Sequence, residues 1–113
     1  MPFPRTEFDA LSTKVASLLA PAGFIPDRME RDSIFGSHVT YFVNDAKVYR
    51  LVWDGKESWL IAEYCDNFQG LVQSSWNDVA IYRAGRDPSP NDLAGFGVQL
   101  IDALRGHLSS YAA

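Results

Sequence analysis

Two short turns, Asn44-Asp45-Ala46-Lys47 and Asp54-Gly55-Lys56-Glu57, constrain this chain more than any other feature in it. Each joins runs in which residues alternate with a period of two. An Asp-Gly step between β-branched and aromatic runs is among the strongest short-range signals for a β-hairpin. Tight turns can only join antiparallel neighbours, because a parallel strand needs a long crossover. Residues 33–43, 48–53 and 58–65 are therefore the expected strands of a meander, with Gly36 marking a kink or bulge in the first. A polar, Gly-containing loop over 66–75 leads to a fourth expected strand at 76–84.

On either side of this block the period becomes helical. Phe8, Leu11, Val15, Leu18 and Leu19 form one apolar stripe, with Thr6 as the expected N-cap and Asp9 in the first turn. Ala20-Pro21-Ala22-Gly23 should end that helix, since Pro cannot continue it and Gly accepts a left-handed cap. Phe24 and Ile25 are expected to fold back on the stripe. Near the other end, Ser89 as N-cap and Pro90 at the first helical position open a second helix. Its buried stripe is Leu93, Phe96, Leu100, Ile101, Leu104 and Leu108. Gly95 and Gly97 each cost it about 1 kcal/mol relative to Ala, so close packing on the sheet is their expected role. The expectation is one α+β domain over residues 1–113. It has a four-stranded, mostly antiparallel sheet (a β-meander plus one strand) and N- and C-terminal helices.

The turns also set the register. With Val43 facing Val48, Tyr41 faces Arg50; with Trp53 facing Ser58, Val52 faces Trp59 and Val48 faces Glu63. One sheet face then carries Phe42, Tyr49, Leu51, Trp53, Leu60, Ala62 and Tyr64, and is the natural seat for the helices. The other carries Val39, Tyr41, Val43, Val48, Arg50, Val52, Trp59, Ile61 and Glu63. It is not the polar surface expected of a half-solvated antiparallel sheet. Four things could cover it: the 66–75 loop, the final helix, a second copy of the chain, or a ligand.

Composition narrows the function classes. The 113 residues carry a formal charge of −4, and the ten Lys and Arg are scattered singly. Nucleic-acid binding is not expected, because it needs clustered positive charge. No apolar run approaches the roughly 18 residues that a bilayer span requires. Met1-Pro2-Phe3-Pro4-Arg5 leads directly into a helical pattern with no signal-peptide features. The single cysteine cannot form an internal disulfide, and the expected compartment is cytoplasmic.

The sequence assembles no catalytic constellation. The two histidines, His38 and His107, lack the paired spacing of a metal site. His107, near a helix C-terminus, is placed where the dipole favours its cationic form. Cys65 sits beside Asp66, whose negative charge disfavours a thiolate. Asp54 and Glu57 flank a turn that Asp and Gly serve for backbone reasons. Glu63, at diagonal distance from Arg50, reads as an ion-pair partner. No phosphate loop, nucleophile elbow or zinc-protease motif is present. No metal or cofactor is expected.

Three tryptophans among 113 residues, Trp53, Trp59 and Trp76, favour a binding face. The order helix, Gly-Phe connector, meander, loop, strand and helix, with Val48-Tyr49-Arg50-Leu51-Val52-Trp53-Asp54-Gly55-Lys56-Glu57 at its centre, resembles immunity proteins that neutralise polymorphic bacterial toxins. The layout is also similar to the small, acidic type III secretion chaperones, although residues 66–75 do not read as the middle helix those proteins use to dimerise. The resemblance implies a non-catalytic interaction protein with a protein partner or a homodimer, and no catalytic residues. The candidate binding residues are Tyr41, Arg50, Trp59, Glu63, Asp54 and Glu57. The alternative is a small-molecule pocket or enzyme site around Arg50.

Overall fold

A computed structural model of the chain describes residues 5–32, 34, 36–66, 68, 75–84 and 90–112. Helix α1 spans Arg5–Leu19 and helix α2 spans Pro90–His107, continuing into a wider π turn over Leu108–Ala112. Between them lies one antiparallel sheet of five strands in sequence order. The strands are β1 (Ile25–Asp32), β2 (Ser37–Asn44), β3 (Lys47–Asp54), β4 (Trp59–Cys65) and β5 (Asn77–Arg83).

The α+β class and the flanking helices match expectation; the strand count does not. Ile25–Asp32 is a strand in its own right, and Gly36, at φ 71, belongs to the connection between β1 and β2 instead of a bulge within one strand. The segment conceals itself because Pro26 and its charged residues show no apolar alternation. Those are the features by which an edge strand avoids pairing with another chain. Phe24 is buried in the core as expected, but Ile25 starts β1 and is 62% exposed.

At the first helix, Thr6 already lies inside α1 and is not its cap. The helix gives way to a 3-10 turn at Ala20–Ala22, and Gly23 closes it at φ 91, its N–H bonded to Ala20 O at 2.9 Å. Pro90 opens α2 as predicted, whereas Ser89 lies outside the described residues. A Cβ on Gly97 would stand 3.4 Å from Leu11 Cδ1, and one on Gly95 would meet nothing within 4 Å. The close approach that Gly97 permits is thus to α1 and not to the sheet.

Both helices lie on one side of the sheet. Phe8, Leu11, Val15 and Leu19 of α1 and Leu100 and Leu104 of α2 share one core with Phe42, Tyr49, Leu51, Trp53, Leu60, Ala62 and Tyr64. These seven sheet residues are the ones the register assigned to the helix side. Phe96 of α2 stacks on Tyr82 of β5, ring centroids 5.4 Å apart. At the other margin Arg31 of β1 bridges to α1. Its Nη2 donates to Asp9 Oδ1 at 2.9 Å, and its Nη1 lies 3.0 Å from His38 Nδ1. A guanidinium only donates, so Nδ1 is the acceptor there.

Candidate functional site

The two hairpin loops fix where the open-face residues stand. Asn44 pairs with Lys47, and Asp45 between them adopts φ 56, the positive value a two-residue loop asks of its first residue. The β3–β4 loop closes one residue further along on each side than the sequence implies. Asp54 pairs with Trp59, Ser58 takes φ 60, and its N–H bonds Asp54 O at 2.7 Å. A shift of one position on each strand leaves side-chain parity intact, so the faces hold while the partners change. Arg50 is directly opposite Glu63, not diagonal to it, and Val52 faces Ile61 instead of Trp59.

Tyr41, Arg50 and Glu63 consequently form one row across β2, β3 and β4. Arg50 Nε donates to Glu63 Oε1 at 2.7 Å, with the two side chains only 22% and 15% exposed. The Arg50 guanidinium also lies 3.9 Å from the ring centroid of Trp76, a cation–π contact made stronger by partial desolvation. Tyr41 Oη donates to Glu30 Oε1 at 2.7 Å, and the Arg28 guanidinium lies 4.9 Å from its ring centroid. Burial, followed by that bond to Glu30, raises the Tyr41 pKa and keeps the phenol neutral.

Trp59 does not join this row. It stands four residues from Glu63 along β4, roughly 13 Å away at strand rise. There it pairs with Asp54 on one side and Arg83 on the other, with the Arg83 guanidinium 4.7 Å from its ring centroid. Asp54 serves its turn: Oδ1 accepts the Lys56 and Glu57 N–H groups at 3.0 and 3.1 Å. Glu57 is exposed at the loop tip. The six candidates therefore separate into a row around Arg50 and an end around Trp59.

Between them runs a row of aliphatic side chains. Val39 pairs with Val52, Val52 with Ile61, and Ile61 with Ile81 of β5. The first three are partly exposed and Ile81 is 36% exposed. Sequence reasoning placed Val39, Val52 and Ile61 on this face but did not single out their row. The signal was available in the correct β3–β4 register. Beyond Arg50, Val48 and Cys65 are buried as a facing pair. Phe68 and Trp76 stand at this corner, where Phe68 N–H bonds Ala46 O at 2.8 Å and the two rings meet at 6.0 Å. Trp76 Nε1 is buried there with no hydrogen-bond partner among the described residues.

His107 is placed unlike its expectation. A 2.7 Å hydrogen bond joins its Nδ1 to Tyr49 Oη, and its ring packs edge-on against Tyr49 and Tyr64, centroids 5.5 and 4.8 Å away. Burial lowers its pKa from the ordinary 6.5, so the neutral ring is favoured despite the helix terminus. Among the described residues no group of His, Cys, Asp and Glu could hold a metal ion. No described helix is long and apolar enough to cross a membrane. Comparison with protein-family models, with curated proteins and with solved structures returns no match to this chain. The fold and the face define a two-layer α+β protein, helices on one side of a five-stranded meander and a partly exposed aliphatic row on the other.

Proposed function

We propose that this chain is a non-catalytic protein-interaction module that docks a protein partner on the open face of its sheet. Immunity-type inhibition of a bacterial toxin is the most specific form of that reading. The observation carrying it is the row Val39–Val52–Ile61–Ile81, partly exposed and flanked by side chains already engaged with one another. Arg50 is held by Glu63 and Trp76, Tyr41 by Glu30, and Trp59 by Arg83. Such a surface is pre-organised, and docking on it orders few additional side chains. An apolar centre with an aromatic and charged rim is the usual anatomy of a protein interface. The small-molecule alternative has less support, because it needs an uncommitted Arg50 to grip an anion. A secretion-chaperone-like dimer would use the same surface with a different partner.

The tagged chain, expressed in its native host, should recover one stoichiometric protein across a range of salt concentrations. Ile61→Lys should abolish that recovery without unfolding the chain, and Glu57→Lys should weaken it through the loop tip. Asp54 is unsuitable for charge reversal because its carboxylate holds the turn. Retention of the same partner by Ile61→Lys would reject the open face as the docking surface. For the immunity form, co-expression with the recovered protein should relieve its toxicity.

A further inference from the structure

The sheet has two outer edges, and the sequence treats them differently. On β1, Pro26 removes one donor, the pairing with β2 is interrupted between Pro26 and Met29, and Asp27, Arg28, Glu30 and Arg31 crowd the strand. Those are devices that keep an edge from acquiring a partner. On β5 there is no proline, and the only charged residues are Asp78 and Arg83, near opposite ends. No described strand pairs with its outer side.

The direction of the β5 backbone groups follows from one bond. Ala84 N–H donates to Ser58 O at 2.8 Å, so Ala84 turns its N–H toward β4 one step beyond the Trp59–Arg83 pair. Hydrogen-bonded and non-hydrogen-bonded pairs alternate in an antiparallel ladder. Tyr82 and Ala80, facing Leu60 and Ala62, therefore also turn their backbone groups toward β4, while Ile81 and Arg83 present theirs outward.

We propose that the outer edge of β5 pairs antiparallel with β5 of a second copy, across a two-fold axis at Ile81, so that the two sheets become one. In this register the outward groups of Ile81 meet their own symmetry equivalents. Arg83 of each copy lies opposite the Asp78–Val79 step of the other, where the β4–β5 pairing shifts by one residue. Two Arg–Asp attractions then close the ends of the contact, a self-complementarity that a two-fold interface requires. Parity is preserved, since Ile81 lies on the open face in both copies. The row Val39–Val52–Ile61–Ile81 thereby runs through the axis into the second copy. A slip that placed open-face residues opposite helix-face ones would break that continuity. An axis at Ala80 would set Arg83 opposite the uncharged Asn77. This inference goes beyond the face-docking reading, and separate substitutions test the two, so either can fail alone.

Sedimentation of the full chain at loading concentrations up to about 200 µM would detect a dimer as weak as about 0.1 mM. Twice the monomer mass of 12.6 kDa is expected, and a monomer throughout would overturn the proposal. Asp78→Arg or Arg83→Asp alone should weaken the dimer roughly ten-fold, because each places like charges across both ends of the contact. The double variant restores opposite charges and should return the dissociation constant to within about two-fold of the parent. A dimer indifferent to both single reversals, or one the double variant fails to rescue, would reject this register.

Discussion

The two faces of this sheet are both rich in apolar and aromatic residues, yet they are finished in different ways. On the helix side, Trp53 and Leu60 are 0% exposed and share one core with residues of both helices. On the other side the large side chains lean on one another within the sheet or against Trp76, and an aliphatic row is left partly exposed. Apolar content alone therefore does not identify a core. What distinguishes the faces is whether a second layer removes the side chains from water, and that decides how much each contributes to stability.

Trp53→Ala should draw the contrast most strongly. Emptying so large a buried site costs about 3–5 kcal/mol, a large part of the stability of a small domain. The urea midpoint should fall by roughly 2 M, given denaturant slopes of about 1–3 kcal/mol per molar. A shift below about 0.5 M would mean that the helix layer does not seal this face.

A smaller effect, also on the helix side, comes from His107. Burial holds its folded-state pKa below 6.5, so protonation favours the unfolded chain. Its contribution is fully present above 6.5 and is lost as the pH falls from there through the folded-state value. Urea stability should accordingly decline on acidification from neutrality to about pH 5.5, before most carboxylates begin to titrate. His107→Asn, whose amide can still hydrogen-bond the Tyr49 hydroxyl but does not titrate, should flatten that decline. An unchanged slope in the variant would assign the pH response to other groups.

The two faces were legible in the sequence, because side-chain parity survives a register error of one residue on each strand. The partners were not. Whether Trp53 or Asp54 closes the loop depends on Ser58 adopting a left-handed conformation, which few non-glycine sequences announce. Trp76 covering Arg50 and His107 meeting Tyr49 bring together residues distant along the chain, and no local pattern encodes such contacts. Strand β1 escaped notice for a different reason. Its charges and Pro26 protect an edge by suppressing the alternation through which strands are recognised.

The open face gives the smallest expected effect and the sharpest test of the contrast. Ile61 has β-strand neighbours on both sides, Val52 and Ile81, but no described helix lies over it. Lysine there can keep its methylenes along the aliphatic row and carry its ammonium into water, as long cationic side chains commonly do. Ile61→Lys should therefore change stability by no more than about 1 kcal/mol, as expected for a partly exposed position. The corresponding lysine at Leu60, one residue away and 0% exposed, should cost several times as much, because its charge would have no route to water. If the two substitutions destabilised the monomer equally, the face around Ile61 would already be covered by the chain itself. A docked partner would then have to displace that cover.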